Sequence, residues 1–158
     1  RRSGDGRWRW GPALTGLGAP DWDPSARGAI LGITRGTTRA HLARATLEAI
    51  AFEVRDVVET FPDELRLRRL RVDGGAAANG LLLQLQADTL GLPVERPGVL
   101  ETTGLGAAFL AGLGTGVWAS TEELASTWQA EVTFSPGGRD EAGYRRWRAG
   151  VERAKDWA

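Results

Sequence analysis

The chain has 158 residues, a length typical of one domain, and its 20 basic residues balance its 20 acidic residues. This balance argues against a dedicated nucleic-acid binder, which usually carries a basic excess. The absence of cysteine excludes disulfide bonds and thiolate metal sites, and the single histidine, His41, excludes a zinc site built from several histidines. No apolar run approaches the roughly 20 residues that cross a bilayer, and no signal peptide is evident, so we expect a cytoplasmic protein without a membrane partner.

The first eleven residues differ in character from the rest of the chain. Arginine alternates there with Trp8 and Trp10, as in arms that stack on single-stranded nucleic acid. Asp5 and the lack of a second basic patch favour the other interpretation, a disordered terminus. We therefore predict a tail over residues 1–11 and a folded domain over residues 12–158. Because methionine is absent even at position 1, we expect a truncated or frameshifted gene, or an excerpt of a longer chain.

Residues 11–36 are rich in glycine, proline and aspartate, which favour turns. The apolar residues 29–33 within this stretch predict a short strand. We expect Trp22 and Asp23 to anchor the surrounding loop on the core.

The longest predicted helix spans residues 37–61, because apolar residues recur at spacings of three and four: Leu47, Ile50, Val54, Val57 or Val58, and Phe61. A threonine can cap its start and a proline follows its end. His41 lies near the start of this helix. We expect it to be structural, because no nucleophile is placed to use it.

A strand, a glycine turn and a helix are predicted over residues 70–90. Leu70 and Val72 alternate with arginines as in a strand with one buried face, and Gly74 and Gly75 then break the pattern. Such junctions attract ligands, because free N–H groups and the helix dipole point outwards. Asn79 opens the helix. It could be only the N-cap or could face a nucleotide, and the residues alone favour the cap.

The remaining helices and strands are predicted from turn-forming residues and from the periodicity of apolar residues. They are a strand over residues 93–97, a helix over 102–116, a short helix from Ser120, a strand over 132–134 and a closing helix over 140–157.

Several ordered motifs then carry a family resemblance. They are Gly28-x-Ile30-x-Gly32-Ile33, His41-Leu42, the run from Arg71 to Asn79, Gln86-Ala-Asp88, Val94-Glu-Arg-Pro97, and the run from Glu101 to Gly112. Over residues 12–158 the sequence resembles the glycerol kinases of the FGGY carbohydrate-kinase family. The resemblance implies an α/β, actin-like and ribonuclease-H-like fold, of which this chain would be an incomplete C-terminal, nucleotide-binding domain.

The resemblance also implies the chemistry. A glycerol kinase transfers the γ-phosphate of ATP to glycerol, giving ADP and glycerol 3-phosphate, with Mg²⁺ as cofactor. Gly75 and Asn79 would contact the adenine side of the nucleotide, and Gly74 would support the turn. The catalytic residues and most of the glycerol pocket would come from an N-terminal domain that this chain lacks. The full-length protein is expected to be a homo-oligomer.

Two alternatives stay open. The chain could be a non-catalytic nucleotide-binding or interaction module, or the C-terminal domain of a sister FGGY sugar kinase. Two positions depart from the family pattern, since Gly80 stands where a larger polar residue is usual and Asp21 stands where an aromatic is typical. The carboxylates of Asp21, Asp23, Asp73 and Asp88 show no arrangement that would make one of them a general base.

Overall fold

The computed structural model describes residues 9–11 and 13–157. The strands are β1 (Arg9–Gly11), β2 (Ala29–Leu31), β3 (Leu70–Arg71), β4 (Val94–Pro97) and β5 (Ala130–Phe134). The α-helices are α1 (Arg39–Glu59), α2 (Gly80–Leu90), α3 (Thr102–Thr115), α4 (Thr121–Thr127) and α5 (Glu141–Glu152). Short 3₁₀ turns occupy Asp63–Leu65 and Gly75–Ala78.

A two-stranded antiparallel sheet joins β1 to β2, with Trp10 opposite Ile30. Strand β1 thus lies within the segment predicted as a tail, residues 1–11. Strand β1 is formed by backbone hydrogen bonds with β2, a partner that the local sequence of β1 does not indicate. Residues 1–8 of the predicted tail lie outside the described residues.

A three-stranded sheet has the order β3-β4-β5, parallel between β3 and β4 and antiparallel between β4 and β5. The segment between β3 and β4 contains α2, the kind of crossover that a parallel pair requires. Pro97 ends the central strand at a register shift, where the missing N–H of a proline is tolerated.

Two apolar clusters form the core. One joins α1 to α5 through Ala49, Phe52, Trp147 and Val151. The other joins α2 to the three-stranded sheet through Leu83, Ala87 and Val94, with Leu70, Val72 and Phe134 packed against it. The alternation of apolar residues and arginines therefore predicted the buried face of β3 correctly.

Local capping confirms much of the helix prediction. The Thr38 hydroxyl oxygen accepts from the backbone N–H of His41 at 3.4 Å, and Nδ1 of His41 accepts from the backbone N–H of Thr38 at 3.2 Å. His41 thus closes a capping box at the start of α1, a structural role as expected. Gly91 ends α2 in the left-handed conformation that favours glycine.

Two tryptophans do not lie where the pattern suggested. Trp22 is 75% exposed, so it does not anchor its loop on the core. Asp23 anchors the loop alone, because its carboxylate accepts from Ser25, Ala26 and the backbone N–H of Asp156. Helix α5 ends at Glu152, and Trp157 lies beyond it, 73% exposed.

Within residues 9–11 and 13–157, no helix is long and apolar enough to cross a membrane.

Candidate functional site

The glycine turn lies at the carboxyl end of β3. The backbone N–H of Val72 donates to Glu95 at 3.0 Å, which continues the pairing with β4 just past the strand. Gly74 follows with φ +76°, a left-handed conformation that a side chain would strain, and its N–H donates to the carbonyl of Leu100 at 2.8 Å. Backbone hydrogen bonds thus help to fix the turn.

Asn79 connects the turn to α2. Its Oδ1 accepts from the backbone N–H groups of Leu81 at 3.1 Å and Leu82 at 3.2 Å, so it is the N-cap residue that the sequence indicated. The residue is exposed. Its side-chain nitrogen donates no hydrogen bond to the described part of the chain, so a donor group at the start of α2 faces outwards.

The backbone conformation that favours glycine at position 74 is not found at Gly75. A Cβ atom added to Gly75 would meet nothing within 4 Å, and its φ lies outside the left-handed range. Neither backbone strain nor packing within the described residues requires glycine at this position. Open space therefore borders the backbone beside the N-terminus of α2, a geometry that lets another molecule approach the main chain closely.

The turn is tied to two neighbouring elements. The Thr102 hydroxyl, at the start of α3, donates to the carboxylate of Asp73. On the other side, Nη1 of Arg96 donates to the carbonyl of Ala77 at 3.4 Å. Gly75 and Asn79 are exposed and Gly74 is half-buried, and the segment that contains them is held from both flanks.

The four carboxylates considered in the sequence analysis are not brought together. Asp21 pairs with Arg148 and Lys155, and its hydrogen bond with Arg148 is the main cause that lowers its pKa. The Ser25 hydroxyl, followed by backbone N–H donors, lowers the pKa of Asp23 to about 2. Asp88 accepts from Gln84 at 2.9 Å and from the N–H of Gly137 at 2.7 Å. Together with Asp73, each carboxylate has a structural hydrogen-bonding role.

A charged cluster between α1 and α5 escaped the sequence analysis. Arg148 bridges Asp21 and Asp56, and the Tyr144 hydroxyl also donates to Asp56. Residues 21 and 148 are too far apart in sequence for any periodic pattern to link them. The only local signal was the basic and aromatic content of α5, which also suits an ordinary amphipathic helix.

No set of three or more histidine or acidic side chains in the described ranges, 9–11 and 13–157, is arranged to hold a metal ion.

Comparison with known proteins identifies the fold just described. The model of the FGGY family of carbohydrate kinases, C-terminal domain, matches residues 6–115. The chain belongs to the FGGY family. The match begins at residue 6, inside the segment that was predicted as a non-family tail, residues 1–11.

Curated relatives of this FGGY chain are glycerol kinases. It is 59% identical over 151 residues to glycerol kinase from Aromatoleum aromaticum, covering 92% of this chain and 30% of that protein. It is 55% identical over 152 residues to glycerol kinase from Symbiobacterium thermophilum, covering 93% of this chain and 30% of that protein. The chain thus spans about 30% of the length of these relatives.

Solved structures of FGGY kinases have the same fold. Glycerol kinase from Plasmodium falciparum, crystallised with ADP, superposes with a TM-score of 0.78 at 34% identity, over 93% of this chain and 30% of that one. A ligand-bound xylulose kinase from Lactobacillus acidophilus gives a TM-score of 0.75 at 26% identity, over 92% of this chain and 30% of that one. The predicted α/β fold class and the assignment to the C-terminal FGGY domain are confirmed.

Proposed function

We propose that this chain supplies the adenine-side nucleotide contacts of a glycerol kinase. In that assignment the enzyme transfers the γ-phosphate of ATP to glycerol and gives ADP and glycerol 3-phosphate. Gly75 and Asn79 contact the nucleotide, and Gly74 supports the turn. We assign residues 12–158 to the nucleotide-binding domain, and the family match over residues 6–115 supports a C-terminal FGGY domain in this part of the chain.

One observation carries the proposal: Gly75 is a glycine that the fold itself does not require. Its missing side chain leaves room against the backbone of the turn that leads into α2, so a flat, uncharged base can approach the main chain closely. The outward-facing amide nitrogen of Asn79 lies one short turn further along. The 59% identity to a glycerol kinase and the fold shared with a glycerol kinase crystallised with ADP support a nucleotide at this surface.

Phosphoryl transfer itself is assigned to residues outside this chain. Phosphoryl transfer depends on positioning and on charge stabilisation by Mg²⁺ and placed donors. The described residues hold no group of three or more acidic or histidine side chains arranged for a metal ion. As the family resemblance implies, we assign Mg²⁺, the general base and the glycerol pocket to the part of the enzyme outside this chain. We do not expect the chain alone to turn over glycerol.

The test is a calorimetric titration of the purified chain with ADP, beside three variants. Asn79→Leu removes both the cap and the amide donor. Asn79→Ser retains a good cap but removes the amide donor, so it separates the two roles. Gly75→Val places a branched side chain in the open space beside the turn. We expect ADP to bind the unaltered chain and to lose at least about tenfold in affinity in each variant.

Complementation distinguishes the alternatives. Adding the upstream part of a glycerol kinase should restore ATP turnover that depends on glycerol and not on xylulose. ADP binding without any gain in turnover would indicate a non-catalytic module instead. Unchanged ADP affinity in Asn79→Ser and Gly75→Val would remove these residues from the nucleotide site.

A further inference from the structure

A pocket of about 480 Å³ lies between α3, α4 and the three-stranded sheet, apart from the glycine turn. Its walls are mostly apolar and include Val99, Leu105, Phe109 and Trp128. A volume of this size suits a small organic molecule. Gly74, Gly75 and Asn79 do not line it.

Arg71 is the only charged residue among the described residues that line this pocket. Its guanidinium carbon lies 3.7 Å from the ring centroid of Trp128, so the planar group is held by stacking on an aromatic face. Its Nε lies 3.5 Å from a carboxylate oxygen of Glu95. Glu95 is paired more closely with Arg69, at 2.7 Å. The charge of Arg71 is therefore only partly balanced.

The two terminal nitrogens of Arg71 have no hydrogen-bond partner in the described part of the chain. Two parallel N–H groups of a guanidinium match the two oxygens of a carboxylate, and a stacked guanidinium loses little freedom on binding. The first turn of α3 also borders the pocket through Thr102 and Leu105.

The apolar wall is also held in place. Phe109 packs edge-on against Trp118, with ring centroids 5.3 Å apart. Val99, at the mouth, remains 56% exposed. The apolar part of a ligand in the pocket would cover the exposed surface of Val99, while an acid group on the same ligand would contact Arg71.

We propose that this pocket binds a small organic monoacid, an aryl or alkyl body with one carboxylate. The apolar walls select the body, and the single positive charge selects the acid. The proposal does not depend on the nucleotide assignment, because its residues are different.

A matched pair of probes tests the proposal on the chain as it is. Calorimetry would compare 4-phenylbutyrate with 4-phenylbutan-1-ol, which has a similar apolar body but no charge. We expect the acid to bind at least about tenfold more tightly than the alcohol. Arg71→Gln should weaken the acid by a similar factor and leave the alcohol unchanged.

Two further variants complete the design. Arg68→Gln removes an exposed charge three residues before Arg71 without altering the pocket wall, so it should change the affinity for the acid less than about twofold. Leu105→Trp should fill the pocket and weaken both probes. Equal affinity for acid and alcohol, or no binding of the acid at millimolar concentration, would overturn the proposal. If Arg71→Gln failed to fold, the comparison of the two probes on the unaltered chain would still decide.

Discussion

Nη1 of Arg148 lies 2.7 Å from a carboxylate oxygen of Asp21, which joins α5 to the loop that precedes β2. The same nitrogen lies 2.7 Å from a carboxylate oxygen of Asp56 on α1. Both carboxylates are nearly buried, with 9% and 5% of their side chains exposed, whereas Arg148 is 28% exposed. One guanidinium thus connects three segments of the chain.

Replacing Arg148 by methionine should destabilise the chain by about 2–4 kcal/mol, because two buried carboxylates lose their main partner. Lys155 retains its contact with Asp21, at 2.7 Å, which limits the loss. The measurement is equilibrium unfolding in urea at neutral pH. Arg146→Ala, on an exposed part of the same helix, is the matched control and should change the free energy of unfolding by less than about 0.5 kcal/mol. Similar losses in both variants would contradict a specific role for Arg148.

Glu53 makes stability depend on pH. Burial first, and the charge of Asp56 second, raise the pKa of Glu53 to about 7. A carboxyl group whose pKa is raised on folding is destabilising when ionised. Its contribution is therefore most favourable below the unfolded pKa, near 4.5, and is lost as the pH rises to about 7.

The expected result is that Glu53→Gln is more stable than the unaltered chain at pH 8 by on the order of 1–3 kcal/mol. The difference should shrink as the pH falls towards 4.5. Comparing the two chains at each pH by urea unfolding cancels the contributions of the other titrating groups. A difference that stays constant between pH 4.5 and 8 would show that Glu53 does not titrate in this range.

Local sequence predicted the candidate site because the site is local. Gly74, Gly75 and Asn79 lie within six residues of one another, and the strand, turn and cap each have their own signature. The assignment of a nucleotide contact still depends on the family resemblance, because capping alone accounts for the oxygen of Asn79. The amide nitrogen that faces outwards became visible only in the structure.

Long-range pairing explains what the sequence analysis missed. Strand β1 is ordered by hydrogen bonds to β2, about twenty residues away, and nothing in its Arg/Trp composition indicates that partner. Asp21 and Arg148 are separated further still. Trp22 was expected to be buried because large aromatics usually are, yet its backbone has φ +50° and its ring lies in solvent. Periodicity and propensity are local properties, so they do not detect such relationships.

The two glycines of the turn should respond differently to alanine. At Gly74 a side chain would be strained by φ +76°, so Gly74→Ala should cost about 1–2 kcal/mol. At Gly75 neither strain nor a steric contact opposes a Cβ atom, so Gly75→Ala should be within about 0.5 kcal/mol of the original chain or slightly more stable. Thermal unfolding of the two variants side by side provides the comparison. Equal destabilisation would mean that the fold requires both glycines, which would remove the main support for a ligand at Gly75.

Helix α3 provides a second matched pair of glycines. A Cβ atom at Gly112 would overlap a ring carbon of Trp118, so Gly112→Ala should displace the ring that packs against Phe109. Overpacking of this kind costs about 1–3 kcal/mol. At Gly114, in the same helix, a Cβ atom meets nothing within 4 Å, and alanine should stabilise the helix by up to about 1 kcal/mol. In urea unfolding, the free energy of unfolding should therefore fall for Gly112→Ala and rise for Gly114→Ala. Because Phe109 forms part of the pocket wall, Gly112→Ala should also weaken the binding of 4-phenylbutyrate. A stabilised Gly112→Ala variant would show that Trp118 does not pack as the structure places it.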